Sequence, residues 1–372
     1  MTFIIGRPLV GAFARDADNY MVIGYGSENG RLFKDGQWLP VSFRSFIRTA
    51  MAFSPDGKRY CFAVRLPDTA APTLYIDGGA ASQGAVDGLG YRAASGRFIY
   101  RQRRDGANWT LMEDDKPLPG FPPLPEWRGS YALSPGGHHV AALVKKGDQE
   151  AVVIDGKEEP PFPTVDWAIE GDFVSYYAGS LAWSNDGGSH AYAVYDKKLT
   201  TFTTLGEVKD FPSEVVFNGK PLGKQGPVRG SSVALSADGK HLAYAVKQGD
   251  GWSLVVDGRK GEPYREVGNP VLLKDGRPVY AAKTDRGWEL RGAMAAGPFE
   301  RVSDLIVSRD GARVAFAAKS GDGKWQVFRD AKAVSAPFDG IVGQTGLRFD
   351  RAGRLRFVGK AGRELQWVTV SE

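Results

Sequence analysis

The sequence has very little of what most enzyme active sites and disulfide-stabilised folds require. It contains one cysteine, which cannot form an internal disulfide, and only four histidines in 372 residues. No pair of histidines has the close spacing of a zinc-binding helix, and no cysteine cluster accompanies them. Nucleophile motifs of the G-x-S-x-G form, phosphate-binding loops and dinucleotide fingerprints are missing too. The sequence therefore predicts no catalytic residue, no metal ligand and no cofactor.

Long apolar runs are also lacking. The longest fall far below the roughly 20 residues that a membrane-spanning helix needs, so no membrane span is expected. The first residues, Met1 to Pro8, have no charged start followed by an apolar core, so no signal peptide is visible and the cytoplasm is favoured. Helix-length periodic segments are scarcely present, which argues against a helical cofactor-binding module.

The charge balance is basic without being concentrated. The net charge is +5, but Lys and Arg are interleaved with 43 acidic residues. The densest cationic stretch runs from Arg97 to Arg104, and on a strand Arg97, Arg101 and Arg103 share one face. A solvated face explains such a pattern. We therefore expect no nucleic-acid partner.

What the sequence does have is a repeat, seen most clearly between Ser231 and Val267. Short apolar runs alternate there with Asp-Gly and Gly-Asp-Gly turns, in which Gly accepts the positive φ of a tight reversal. The runs are too short and too rich in β-branched and aromatic residues for helices. Four antiparallel strands are predicted in this unit: Val233–Leu235, Leu242–Val246, Trp252–Val256 and a Pro-containing fourth strand, Glu262–Val267.

Three features of this unit recur along the chain. The first turn returns at intervals near 40 residues, with copies near positions 16, 56, 95, 136, 186, 238, 275, 310 and 351. A Trp with an Asp five residues later marks the third strand at Trp109/Asp114, Trp252/Asp257 and Trp325/Asp330. A Pro-aromatic pair with Val or Ile three residues after the aromatic marks the fourth strand, ending at Val165, Val267, Val302 and Ile341. Cys61 falls at the repeat position of Ala243 and Ala315, so we expect a small core residue.

The turn Ser54-Pro55-Asp56-Gly57-Lys58, followed by an apolar strand and then a D-G-K turn, resembles the WD-like repeats of TolB-type β-propellers. The resemblance extends over nearly the whole chain. It implies an all-β fold: a single bacterial β-propeller domain over residues 1–372, with nine four-stranded antiparallel blades. If the degenerate first or third unit is not a blade, the number is eight. Such propellers serve as scaffolds, receptors and sometimes enzymes.

The two ends of the chain are expected to meet. The last unit holds three predicted strands, ending with Leu365–Val370, and has no fourth. Residues Ile4–Val10 resemble the Pro-containing fourth strands elsewhere, so we predict that they pair with Leu365–Val370. Closure by this N-terminal strand would remove the sheet edges that invite aggregation.

Two insertions interrupt the repeat around the fifth unit. Residues 166–179 are predicted to precede its first strand, and residues 196–212 lie between its second and third strands. In a four-stranded meander both positions are at the same end of the sheet. Loops on a rigid scaffold often carry function, so this end is the predicted binding face.

Aromatic and charged residues concentrate on the loops of this face. Trp127 and Trp167 each follow an acid just after a fourth strand, and further aromatics lie in the insertions. Their composition is that of interface hot spots or sugar platforms; the alternative is that the two Trp side chains plug the tops of their blades. The predicted binding residues are Trp127, Arg128, Trp167, Glu170, Asp172, Tyr176 and Tyr177.

The leading functional hypothesis is a non-catalytic scaffold that binds a protein partner through this face. The first alternative is an enzyme or small-ligand binder that uses the central channel, where polar side chains from several blades would converge. The second, implied by the resemblance, is a TolB-like periplasmic envelope protein whose leader precedes Met1 in the gene.

Overall fold

The chain folds into antiparallel β-sheets. A computed structural model describes residues 11–13, 20–25, 29–103, 108–124, 131–166, 180–196, 212–341, 347–350, 352–362 and 364–370. Within these ranges there are 38 strands in nine sheets and no helix. It follows that no described segment is an apolar helix long enough to cross a membrane. The prediction of an all-β chain is confirmed.

The described sheets fall into two compact units, and the first unit contains sheets 1 to 4. Sheet 1 consists of β1 (Gly11–Phe13), β2 (Tyr20–Tyr25), β3 (Gly30–Lys34) and β4 (Gln37–Phe43). Sheet 2 consists of β5 (Ser45–Phe53), β6 (Tyr60–Arg65), β7 (Thr73–Ile76) and β8 (Gly79–Gln83). Sheet 3 consists of β9 (Ala85–Arg92), β10 (Arg97–Arg103), β11 (Thr110–Glu113) and β12 (Lys116–Pro117). Sheet 4 consists of β13 (Tyr131–Leu133), β14 (Val140–Lys146), β15 (Gln149–Ile154) and β16 (Lys157–Glu158).

The second unit contains sheets 5 to 9. Sheet 5 consists of β17 (Thr164–Val165), β18 (Ala182–Trp183), β19 (His190–Tyr195), β20 (Glu214–Phe217) and β21 (Lys220–Lys224). Sheet 6 consists of β22 (Val228–Leu235), β23 (Leu242–Gln248), β24 (Gly251–Val256) and β25 (Arg259–Tyr264). Sheet 7 consists of β26 (Glu266–Val267), β27 (Val271–Leu272), β28 (Pro278–Thr284), β29 (Gly287–Gly292) and β30 (Ala296–Phe299). Sheet 8 consists of β31 (Arg301–Val307), β32 (Val314–Lys319), β33 (Trp325–Arg329) and β34 (Lys332–Ala333). Sheet 9 consists of β35 (Gly340–Ile341), β36 (Arg348–Phe349), β37 (Leu355–Ala361) and β38 (Glu364–Val370).

Sheets 1 to 8 are four-stranded meanders and sheet 9 is a three-stranded one, and in each the strands pair in the order in which the chain visits them. In sheets 5, 7 and 9 the first strand is split into two segments, and both segments pair with the second strand. Four-stranded antiparallel meanders of this kind are the units from which β-propeller blades are built.

The first turn of the repeat is held by its own side chains. In sheet 6 the Ser236 hydroxyl donates to Oδ1 of Asp238 at 2.8 Å and accepts the His241 backbone N–H at 3.1 Å. The hydrogen bond from Ser236 is the main reason that the pKa of Asp238 is lowered to about 2. Gly239 supplies the positive φ of 68° that closes the turn. The same Ser-to-Asp bond is made at Ser54/Asp56, Ser184/Asp186 and Ser308/Asp310.

The Asp that follows the third-strand Trp is also a turn residue. Asp257 has a φ of 48°, and its Oδ1 accepts the Leu242 backbone N–H at 3.0 Å. Its Oδ2 lies 2.7 Å from Nδ1 of His241. Asp77, Asp114, Asp155 and Asp330 cap the start of their second strands in the same way, and Asn218 does so in sheet 5. The Trp-and-Asp spacing therefore has a structural explanation, because the Asp side chain caps the start of the second strand.

The predicted fourth strand needs a correction. Tyr264 ends β25, where it pairs with Trp252, whereas Val267 lies in β26 and pairs with Ala282 of sheet 7. Likewise Val165, Val302 and Ile341 belong to the first strand of the following sheet. The chain passes from one sheet to the next at Arg265 without a Gly or Pro turn, so the sequence reads as one continuous strand.

The core lies between neighbouring sheets and is built mainly on the second strands. Large side chains on these strands are fully buried: Phe62, Tyr100, Tyr192, Tyr244, Phe316 and Phe357. Cys61 is buried beside Phe62, which confirms the prediction of a small core residue, and its burial raises the pKa of the thiol. Arg101 differs from the predicted solvated face, because only 7% of it is exposed and its guanidinium lies 4.8 Å from the Trp109 ring centroid.

Candidate functional site

The first strand of sheet 6 bulges near its middle. Arg229 and Ala234 pair with Ala245 and Ala243, so residues 230–233 stand opposite the single residue Tyr244. First strands with extra residues at this point also occur in sheets 2, 3, 5, 7, 8 and 9. We call the extra residues the first-strand bulge. Because the second strand runs straight past, the bulge adds chain length without changing the pairing on either side.

The first insertion is an enlarged first-strand bulge of sheet 5. Val165 pairs with Val194 and Ala182 pairs with Ala191, so the whole insertion leaves and re-enters opposite two residues of β19. It therefore lies within the first strand, not before it as the sequence suggested. The prediction was wrong because, in the sequence, the residues of β17 resemble the fourth strand of the preceding unit.

In sheets 5 and 6 a buried serine links the two ends of the first-strand bulge, and we call the point where these ends meet the neck. The Ser180 hydroxyl donates to the Asp166 carbonyl at 2.8 Å and accepts the Ala193 N–H at 2.7 Å. The Ser232 hydroxyl donates to the Arg229 carbonyl at 2.5 Å and accepts the Ala245 N–H at 2.7 Å. We call this arrangement the serine bridge. It satisfies backbone groups that the interrupted ladder would otherwise leave unpaired.

The second insertion begins close to the first. Tyr195 pairs with Thr164, and Asp196 directly follows. On the return side, the Ser213 N–H donates to the Val194 carbonyl at 2.9 Å. Asp166 donates its N–H to the Ala193 carbonyl, two residues along β19 from Tyr195. The described ends of both insertions thus lie within a few residues of each other on sheet 5, the first opposite the middle of β19 and the second at its end.

Asp166 packs directly against the next sheet. A Cβ atom placed on Gly230 would lie 1.7 Å from Oδ2 of Asp166 and 3.3 Å from Cβ of Ser180. Only a residue without a side chain fits there, because sub-van-der-Waals overlap is strongly repulsive. The neck of the first insertion is therefore held from within sheet 5 by Ser180 and from sheet 6 by the backbone of Gly230.

We expect Gly230→Ala to lower the free energy of unfolding by about 1–3 kcal/mol, because the new methyl group must displace the Asp166 carboxylate. Urea unfolding measures the change. Gly321→Ala is the matched control, since a Cβ on Gly321 meets no atom within 4 Å. Combining Gly230→Ala with Asp166→Ala should recover most of the loss. Equal effects of the two glycine variants would contradict the contact.

The seven predicted binding residues lie outside the described part of the chain. Trp127 and Arg128 fall within 125–130; the other five, Trp167, Glu170, Asp172, Tyr176 and Tyr177, fall within 167–179. The residues that fix the roots of this region are Asp166, Ser180, Gly230 and Ser232, which the sequence reasoning missed. A signal was present: Ser180-Leu-Ala-Trp and Ser232-Val-Ala-Leu align at the same repeat position.

The other end of these sheets is drawn together by the first turns. Nδ2 of Asn185 in sheet 5 donates to the Arg309 carbonyl of sheet 8 at 2.7 Å, and its N–H donates to the Ala237 carbonyl of sheet 6. The Lys274 N–H of sheet 7 donates to the Gly311 carbonyl of sheet 8. The first turns of four consecutive sheets are therefore linked to one another by hydrogen bonds.

Metal-binding groups do not cluster in the described ranges, where no three His, Cys, Asp or Glu side chains are placed to hold an ion. His139 and His241 each contact an Asp of their own sheet, at 2.6 and 2.7 Å. His190 is buried between the rings of Trp183 and Tyr192. These contacts assign the three histidines structural roles.

Comparison with known proteins supports the fold class. No protein-family model matches the chain, and no curated protein is similar to it in sequence. Among solved structures, a crystal structure of the eukaryotic initiation factor is similar with 14% identity and a TM-score of 0.50, over 91% of this chain and 89% of that one. The β-propeller domain of the Trilobed protease from Pyrococcus furiosus, which has an open velcro topology, is 11% identical with a TM-score of 0.35, over 81% of this chain and all of that one. The likeness to the first, taken with the four-stranded meanders, identifies a β-propeller fold and nothing about activity.

Proposed function

We propose that the chain is a non-catalytic β-propeller scaffold that binds a protein partner through the face formed by the two insertions of sheet 5. The observation that carries this proposal is the placement of their roots. Asp166 and Asp196 lie within a few residues of each other along the paired strands β17 and β19. Two insertions rooted close together on one rigid sheet would offer a partner a larger surface than the described turns of the other sheets.

The fixed roots support a binding role for the insertions. Ser180 is buried and makes two hydrogen bonds at the neck, while Asp166 contacts Gly230 of sheet 6. A loop whose ends are held in this way loses less conformational entropy on binding than one on a mobile stem. Both insertions can then present side chains from a common base.

The proposed contacts use the aromatic residues as anchors. Trp127, Trp167, Tyr176 and Tyr177 would be buried against the partner, since large aromatic side chains contribute most of the binding energy at hot spots. Arg128, Glu170 and Asp172 would set the orientation through charge complementarity. The chemistry needs no cofactor.

We expect Trp167→Ala combined with Tyr177→Ala to weaken partner capture by about 100-fold or more, because each hot-spot aromatic contributes about 2 kcal/mol or more. The measurement is affinity capture from the native cell lysate with quantitative mass spectrometry, followed by affinity determination with the purified partner. Far-UV circular dichroism checks that the variant is folded.

A matched control comes from an exposed turn of the same unit. Asp322→Ala with Lys324→Ala alters the turn between β32 and β33 of sheet 8, a sheet that carries neither insertion. It should leave capture unchanged. Equal capture by wild type and by the Trp167/Tyr177 variant would refute the proposed surface, as would loss of capture in the control.

We further propose that the nine sheets are nine blades of one TolB-type propeller domain located in the cytoplasm, and that residues 4–10 close it by pairing with β38. The described geometry of sheet 9 supports this closure. Its strands β35/β36, β37 and β38 match the first three strands of the other sheets, and the outer edge of β38 has no partner among the described residues. A fourth strand is required to complete the unit.

A further inference from the structure

Sheet 9 has one side that packs against sheet 8 and one side that does not. Phe357 of β37 and Val368 of β38 belong to the apolar cluster shared with sheet 8. Because side chains alternate along a strand, Arg356 and Trp367 lie on the other side. We call this side the Trp367 face. Its described residues are Arg348, Arg356, Val358, Lys360, Trp367 and Thr369.

The residues of this face differ from those at the same register positions of other sheets. The positions of Arg356, Val358 and Trp367 are held by Ala315, Ala317 and Val327 in sheet 8, and by Ala243, Ala245 and Leu254 in sheet 6. These six residues are at most 4% exposed, because they pack in the clusters shared with the next sheet. Trp367, by contrast, is 61% exposed. The face therefore has an aromatic and a cationic residue where the repeat has small residues suited to burial.

An arginine lies against the exposed tryptophan. The guanidinium carbon of Arg348 is 5.7 Å from the ring centroid of Trp367, which is a cation–π contact. Both side chains are exposed, and Arg348 forms no ion pair within the part of the chain that the structure describes. The two residues thus present an apolar ring edged by a positive charge that a carboxylate can approach.

The rest of the face adds to this positive charge. Lys360 is exposed, and Nε of Arg356 lies 3.0 Å from Oδ2 of Asp350. Nε of Arg354 donates to the same carboxylate at 2.8 Å. Asp350 is therefore neutralised within sheet 9 and does not offset the charges of Arg348 and Lys360.

We propose that the Trp367 face binds an acidic protein segment, with an apolar side chain of that segment on Trp367 and carboxylates beside Arg348 and Lys360. Tryptophan and arginine are the residue types that contribute most at protein interfaces. Complementary charge selects the partner and directs its approach. The face shares no residue with the proposed binding surface of the insertions, so either proposal can fail without the other.

Two other occupants fit the face less well. A second copy of this chain would bring a net charge of +5 to a cationic surface. A nucleic acid would bring a continuous row of phosphates, which needs a row of cations. The described face offers Arg348 and Lys360 beside one ring, with the Asp350 carboxylate on the same side. A short segment with a few carboxylates matches this arrangement.

The test uses the whole chain labelled with 5-fluorotryptophan, in which Trp367→Phe assigns the Trp367 resonance. The probe is the acidic peptide Ac-DEFDE-NH2, titrated at physiological ionic strength. We expect a saturable shift of the Trp367 resonance, and no shift with Ac-KKFKK-NH2. Fluorescence anisotropy of the labelled acidic peptide then gives the affinity of each variant. Trp367→Ala should weaken binding about 30-fold or more and Arg348→Gln about fivefold, since an aromatic anchor and one exposed ion pair are lost.

Arg309→Gln is the matched control, because it removes the same charge from an exposed first turn of sheet 8. It should change the affinity by less than about twofold. The remaining fluorotryptophan resonances show whether each variant is folded. If Arg348→Gln is not, Lys360→Gln on the same face replaces it, with the same expected loss.

Several results would overturn the proposal. They are an unmoved Trp367 resonance, equal affinities of the Trp367→Ala and Arg309→Gln variants, and equal binding of the lysine peptide. Tighter binding of oligothymidylate than of the acidic peptide would assign the face to nucleic acid instead. A dimer in sedimentation velocity that Trp367→Ala dissociates would assign it to a second copy of the chain.

Discussion

Replacing Phe316 by alanine is expected to lower the free energy of unfolding by about 3–5 kcal/mol. Phe316 is fully buried on the second strand of sheet 8. Its ring stacks on Phe328 at a centroid distance of 4.8 Å and meets Phe299 of sheet 7 edge to face at 5.9 Å. Truncation would leave a cavity between two sheets whose strands are fixed by their hydrogen bonds, so little of the volume can be recovered by relaxation.

Urea unfolding followed by circular dichroism measures this change, and an exposed aromatic provides the control. Trp367 on β38 has 61% of its surface exposed. Trp367→Ala should therefore change the free energy of unfolding by no more than about 0.5 kcal/mol. Phe316→Leu should lie between the two, since it retains most of the apolar volume. Similar losses for Phe316→Ala and Trp367→Ala would contradict the assignment of the core to the inter-sheet clefts.

Removal of residues 1–10 is expected to lower the melting temperature by about 5 °C or more and to cause concentration-dependent association. The first effect follows from the loss of the proposed closing strand, because each kcal/mol corresponds to roughly 1–2 °C when a chain of 372 residues unfolds as one domain. The second follows because β38 would then present an unpaired edge to other molecules. Differential scanning fluorimetry and sedimentation velocity measure the two effects.

The missing strand can be supplied in trans as a control. A synthetic peptide of residues 1–10 should bind the shortened chain, raise its melting temperature and suppress association; a scrambled peptide of the same composition should do neither. Unchanged melting and a monomeric state of the shortened chain would show that residues 4–10 do not pair with β38. The blade count would then have to be reconsidered.

Local turn chemistry made much of the fold readable from the sequence. Ser236, Asp238 and Gly239 are within a few residues of one another in the sequence, so the turn that they form can be predicted from that short stretch alone. The predicted last strand, Leu365–Val370, matches β38 (Glu364–Val370) to within one residue. The passage from β25 to β26 has no such signal, because the chain changes sheets at the single residue Arg265, with neither Gly nor Pro beside it.

The roots of the candidate site were hidden because they depend on contacts between distant residues. The residues that flank Gly230 in the sequence give no indication that its Cα atom faces Asp166, which lies in another sheet. From the sequence alone, Arg229 is one of many scattered basic residues. The pairing register of the strands places its guanidinium over Trp252 and beside the Val267 carbonyl. Pairing register sets these contacts, and register is a property of the folded sheet.

The serine bridge has a consequence for how such a chain changes over evolutionary time. In sheets 5 and 6 it ties off bulges of very different length with the same two hydrogen bonds. Residues gained or lost beyond the hydroxyl leave the paired positions on both sides untouched. The first strand of a sheet can therefore accept new segments of different length while the strands paired with it keep their hydrogen bonds.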